Sequence, residues 1–189
     1  MPQVENTARQ YCYVEFSIAD HAAFDRLQSV VSELGRQKDS ECQQDDEFWL
    51  RYFLEGDRKE FWWPSESEAE MWNTFWFSTP VEQRLSFAMP TPPWDFGSMV
   101  EVILTSEYDL VGVRMLDDGI GRLEIDPHGF PYGGIDSLRA LVRAFGHRII
   151  GSDDGTGFVP GDEQPPRWTP DMKPLKLRTG FWHRLFGKA

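Results

Sequence analysis

The stretch from Ile120 to Gly157, IGRLEIDPHGFPYGGIDSLRALVRAFGHRIIGSDDGTG, restricts the possible folds more than any other part of the chain. Ile120–Asp126 is a β-rich run, and Gly129, Gly133 and Gly134 supply a turn whose backbone only glycine adopts without strain. Ile135, Leu138, Leu141, Val142 and Phe145 then recur at helical spacing and predict one apolar face, with Arg139 and Arg143 on the solvated side. Gly146 suits the left-handed position just past a helix end, and Arg148–Ile150 reads as a closing strand. Strand, helix and strand follow with almost no spare residues, which dictates a mixed α and β architecture before the rest of the chain is read.

Upstream, Cys12, Val14, Phe16 and Ile18 alternate with Tyr13, Glu15 and Ser17, the period of a half-buried strand over Tyr11–Ile18. Asp20 is a candidate N-cap for a helix with the stripe Ala23, Leu27, Val30, Val31 and Leu34, which Gly35 is placed to end. The polar stretch from Gln37 to Asp46 reads as a loop. Phe48–Leu54 is apolar at alternate positions on both sides and predicts a doubly covered strand, with a turn at Gly56-Asp57 and a short returning strand over Glu60–Trp63. Ser65, followed three residues later by Glu68, has the form of a capping box ahead of Met71, Trp72, Phe75 and Trp76. Thr79-Pro80-Val81-Glu82 opens a second short helix to about Phe87, and the prolines of Ala88–Gly97 prevent its continuation. Met99–Thr105 and Leu110–Leu116 predict two strands that form a three-stranded meander with Ile120–Asp126.

The expected fold is α+β: a mostly antiparallel sheet of about five to seven strands with two to four helices packed mainly on one face. Residues 1–160 are expected to form a single domain. Residues 161–189 read as a Pro-rich, basic, extended C-terminal tail ending in the short amphipathic segment Phe181-Trp182-His183-Arg184-Leu185-Phe186. A hydrophobic fraction of 40% over 189 residues supplies enough apolar surface for one core. The first ten residues lack a secretory pattern and there is no apolar run of membrane-spanning length, so a reduced cytoplasmic setting without integral membrane association is expected.

The residues that could carry chemistry cluster at the ends of the organising stretch: Asp126, His128, His147, Asp153 and Asp154. Carboxylates and imidazoles are ligands of catalytic divalent metals, so these five define the alternative of a metal-assisted hydrolase. Their spacing follows no known ligand pattern, and turn and cap roles explain each of them. The glycines before the helix match no phosphate-binding signature, and Asp136 places a negative charge where a phosphate would sit. Neither cysteine nor any serine shows a nucleophile pattern. The expectation is therefore a non-catalytic protein without a cofactor.

Charge and tryptophans give the leading functional expectation. The net charge is −12, and its distribution is uneven: from Arg167 onward six basic residues face the single acid Asp171, a balance of +5 that leaves −17 on residues 1–166. Such an acidic body argues against generic nucleic-acid binding, which needs clustered Lys and Arg. Trp49, Trp62, Trp63, Trp72, Trp76 and Trp94 all lie between residues 48 and 96, interleaved with acids. Tryptophan anchors with an acidic rim suit a basic protein partner, as for an inhibitor or an immunity or antitoxin-type protein. Spacing assigns Trp49, Trp72 and Trp76 to the core. Adjacent Trp62 and Trp63 point oppositely in an extended run, so one ring must face outward. The candidate partner-binding set is Asp45, Asp46, Glu47, Trp62, Trp63 and Glu66. The basic tail is expected to lie back on the acidic body.

Overall fold

The computed structural model describes residues 11–38, 40, 44–117 and 119–173. In chain order the elements are β1 (Cys12–Ser17), α1 (His21–Lys38), α2 (Asp46–Leu50), α3 (Glu55–Arg58), α4 (Glu66–Ser78) and α5 (Val81–Arg84). They continue as α6 (Phe96–Thr105), β2 (Tyr108–Asp117), β3 (Ile120–Pro127), α7 (Asp136–Ala144), β4 (Arg148–Asp153) and β5 (Phe158–Pro160). These residues fall into two compact units. One comprises the chain up to Trp62 together with Trp94–Asp162, and the other comprises Trp63–Pro93 and the chain from Glu163.

The first unit is an α+β sandwich built on a fully antiparallel five-stranded sheet of order β2-β3-β1-β4-β5. Alternation along the central strands decides the layering. Cys12, Val14 and Phe16 are buried, and opposite them on β3 so are Ile125, Leu123 and Gly121. Phe24 of α1 meets Phe16 on that face at 6.3 Å, and Leu27, Leu34, Met99, Ile103, Leu138 and Leu141 complete the core from α1, α6 and α7. Gly121 is glycine because a Cβ there would stand 2.6 Å from the Phe16 ring. The opposite face carries charge: Arg122 lies over the Tyr13 ring at 3.9 Å and pairs with Glu15, while Arg114 pairs with Glu124.

Four segments differ from the sequence expectation, each for a local reason. Phe48–Leu54 is no strand. Asp45 accepts a hydrogen bond from Phe48 N and caps α2, and the alternating apolar residues also satisfy the i, i+4 spacing that buries Trp49 and Phe53 together. Met99–Thr105 is likewise helical, because Asp95 caps α6 through Ser98 N and Phe96, Met99, Val100 and Ile103 line one face. The expected meander is therefore the β2–β3 hairpin alone. Gly35 does not end α1, which continues to Lys38. It faces β2, where a Cβ would make ordinary van der Waals contact with Leu110 at 3.6 Å. Glu60–Trp63 forms only an isolated bridge, Trp62 opposite Asp95. At the end of α7, Gly146 adopts φ +77, as the left-handed position demands.

The second unit is small. Ser65 and Glu68 form the capping box at the start of α4. Among the described residues Phe75, Met89 and Trp168 are its buried apolar side chains, with Trp72 and Trp76 packed beside them and Trp72 set edge-on to Trp168 at 5.4 Å. Thr91 N donates to Pro166 O and Trp168 N donates to Thr91 O, both at 2.9 Å, which ties the later chain to this unit. Among the described residues no helix is long and apolar enough to cross a membrane.

Candidate functional site

The five Asp and His residues of the organising stretch are not brought together. Register places Asp153 opposite Tyr13 and Arg148 opposite Ser17, so the two ends of β4 stand about 13 Å apart along β1 at the usual strand rise. His147 sits beyond the Arg148 end, where its Nδ1 accepts from Ala19 N at 3.3 Å and its ring stacks on Phe16 at 5.1 Å. The acids lie at the other end. Asp153 Oδ1 accepts from Gly155 N and Gly157 N, and Asp154 Oδ1 accepts from Thr156 N and Thr156 Oγ1, which closes the polar turn. Those bonds hold the Asp154 carboxyl below the usual carboxylate range. Asp126 is buried, cross-strand from Asp109, and exposed His128 pairs through Nε2 with Asp109 at 3.0 Å. Among the described residues no group of three or more His, Cys, Asp or Glu side chains is placed to hold a metal ion. The ligand set of the hydrolase alternative is thus split between the two ends of the sheet.

Cys12, a free thiol, is buried close to the same turn, where a Cβ on Gly155 would come within 3.4 Å of its sulfur. Burial pushes its pKa up, and Asp153, Asp154 and Asp126 add to that, against a hydrogen bond with Tyr132 that lowers it. A thiol held protonated in this way is a poor nucleophile. Arg139 and Arg143 are not solvated as expected. Both reach Asp162, at 3.3 and 2.8 Å, and fasten the chain after β5 to α7.

The candidate partner-binding residues divide between the units. Asp45, Asp46 and Glu47 are exposed on the first unit at the start of α2, and the Asp46 carboxyl lies against the first turn of α6, 3.2 Å from where a Cβ on Gly97 would be. Burial, then the neighbouring charges of Asp95 and Asp45, raises the Asp46 pKa. Trp62 also belongs to the first unit, half-buried, with its N–H donating to Trp94 O at 2.9 Å. Trp63 and Glu66 belong to the second unit and both are exposed, Trp63 at 48%. Of the adjacent tryptophans, Trp63 is the outward one. Trp49 is core, and Trp72 and Trp76 pack within the second unit.

The second unit adds exposed residues whose spacing carries no functional signal. Phe77 is 72% exposed and Leu85 89%, and Met71, Val81 and Phe87 are exposed as well. Arg84 reaches from α5 back to Thr79 O and Phe77 O, with its guanidinium over the Trp76 and Phe77 rings, so the end of α4 and α5 form one short folded piece. Val81 and Leu85, four apart, present to the same side of that piece. Exposed Glu66, Glu70 and Glu82 lie on the same unit. The one signal in the sequence was Val81 and Leu85 flanking Glu82-Gln83-Arg84, in a helix too short to bury both. No family model, curated protein or solved structure matches the chain.

Proposed function

We propose that the protein is a non-catalytic binding module of the cytoplasm that docks a basic partner protein on the apolar, acid-flanked surface of its second unit. An inhibitor or immunity-type role is the form this takes. The observation that carries the proposal is the set Trp63, Met71, Phe77, Val81, Leu85 and Phe87, all large, apolar and exposed on a unit whose core, among the described residues, is a few side chains. Large apolar side chains left in solvent mark a protein interface where they are contiguous. Aromatic and aliphatic anchors supply the desolvated centre, and Glu66, Glu70 and Glu82 favour a partner with Lys or Arg around an apolar patch.

Capture by the full chain from lysate, at low and then raised salt, tests this against two variants. Leu85→Glu with Phe87→Glu removes the apolar anchors, and Glu66→Lys with Glu70→Lys reverses the flanking charge. The expected result is a basic protein held by the natural chain, released by salt and lost from both variants. Retention that neither variant reduces refutes the proposal.

A further inference from the structure

β2 is an outer strand of the five-stranded sheet, and an outer strand turns one row of backbone N–H and C=O groups away from its only strand neighbour. We propose that a second copy of this chain pairs antiparallel with β2 about a two-fold axis between Val111 and Gly112, joining two five-stranded sheets into one. This surface belongs to the first unit and is independent of the docking surface proposed on the second.

The register follows from the bulge in β2. Tyr108, Leu110, Val113 and Met115 stand opposite Pro127, Ile125, Leu123 and Gly121 and share the core-facing side of the sheet, whereas Asp109 and Arg114 stand opposite Asp126 and Arg122 on the other side. The extra residue between Leu110 and Gly112 shifts the alternation by one. The strand therefore shows the same order of sides in both directions from the point between Val111 and Gly112. An antiparallel copy centred there sets Leu110 against Val113 and Tyr108 against Met115, core side to core side. Backbone polarity agrees. Glu107 O accepts from His128 N, so by alternation Leu110 turns its N–H and C=O to the open edge. Val113 O, which would meet the Leu110 N–H of the second copy, accepts in the single chain from Gln28 Nε2 at 3.0 Å, a side chain standing where a strand would.

Charge selects a second copy over another strand. Asp109 and Arg114 are the only charged residues between Tyr108 and Met115, and both are exposed. The same axis sets Asp109 of each copy against Arg114 of the other, which makes two opposite-charge pairs. Each keeps its partner within the chain, His128 for Asp109 and Glu124 for Arg114, on its own strand or the next. Val111 and Met115, large and exposed, would be covered at the join. Beside the axis an open groove of about 260 Å³ runs between residues 109–112 and Val31, Ser32, Gly35 and Arg36 of α1, which leaves room for an added strand.

Sedimentation equilibrium of the full chain, with hydrogen exchange at low and high concentration, tests the proposal. The expected result is a dimer whose formation slows amide exchange within residues 108–115. Asp109→Arg and Arg114→Asp each set like charges opposite one another twice and should weaken the dimer by about tenfold or more. A mixture of the two variants restores both opposite-charge pairs in the mixed dimer, which should regain the natural affinity. Circular dichroism verifies that the variants are folded, and the exchange measurement on the natural chain stands without them. A chain that is monomeric at every soluble concentration overturns the proposal, as does a dimer whose slowed amides lie outside residues 108–115. Folded single variants that associate as the natural chain does, or a mixture no tighter than either variant alone, overturn it as well.

Discussion

His147 should impose a pH dependence on the stability of the first unit, in a window set by its environment. Its side chain is 3% exposed, its Nδ1 accepts from Ala19 N, and its Nε2, which then carries the proton, has no hydrogen-bond partner among the described residues. Burial lowers its pKa. Asp20 and Asp57 act in the opposite direction and Arg26 in the same one, without reversing the shift. A histidine whose pKa is lowered by folding binds fewer protons folded than unfolded, so its contribution is fully present above the unfolded value of about 6.5 and is lost as pH falls below it. Protonation at Nδ1 also turns the acceptor for Ala19 N–H into a second donor. For a ring that stays neutral in the fold, the loss between pH 7.5 and 5.5 reaches about 1.4 kcal/mol, the limit set by one proton. Urea unfolding, read by hydrogen exchange in peptides spanning β1 and α7, measures this directly. The carboxyls held low by their partners, Glu33, Asp154 and Asp162, titrate below this window. His147→Asn keeps an acceptor near the Nδ1 position but cannot titrate. It should start less stable, having lost the stack on Phe16, and show a flattened slope over the same range. An unchanged slope in His147→Asn, or a flat profile in the natural chain, would refute the reasoning.

Two further substitutions test the packing. Gly121→Ala drives a Cβ into the Phe16 ring and should cost about 1–3 kcal/mol. Combining it with Phe16→Leu should cost clearly less than the sum of the two single changes, and strict additivity in urea melts would count against the contact. Asp95→Ala removes the α6 cap at Ser98 N, for a loss of about 1 kcal/mol. It also deletes a charge that raises the Asp46 pKa, so the Asp46 carboxyl, followed by carbon NMR titration, should shift downward.

What the sequence conveyed about the fold depended on whether a segment had one periodicity or two. β1, β3, α7 and β4 carry an unambiguous period, and α4 carries its capping box, so these were legible. Phe48–Leu54 and Met99–Thr105 are apolar at nearly every position, and such runs satisfy a strand and a helix equally. Each was decided by a single aspartate three or four residues upstream, Asp45 or Asp95, whose carboxylate satisfies an amide that a strand would not leave open. β5 is three exposed residues held by pairing with β4, and no local pattern announces it. The candidate site was less legible, because solvent exposure arises from which neighbours a residue finds. The spacing of Trp62 and Trp63 shows that they diverge, but Phe77, Leu85 and Phe87 resemble core residues in the sequence and are exposed in the structure.

The same distinction changes how the acidity of the chain is to be understood. A net charge of −12 suggests a broad acidic surface, yet many of the carboxylates have structural partners. Asp20, Asp45 and Asp95 cap helices, Asp57 accepts from Leu54 N, and Glu68 accepts from Ser65 N. Asp153 and Asp154 close a turn, and Glu15, Glu33, Glu124 and Asp162 pair with arginines. The arginine-paired carboxylates contribute least to recognition at a distance, because their charge is offset within the pair and what remains is screened over about 8 Å in physiological salt. Under the proposed function, selectivity for a basic partner comes from acids on the unit that exposes apolar side chains. On the second unit Glu66, Glu70 and Glu82 are exposed, as are Phe77, Leu85 and Phe87. Reversing charge there should weaken docking far more than removing the same number of acids from helix caps, which should act on stability instead.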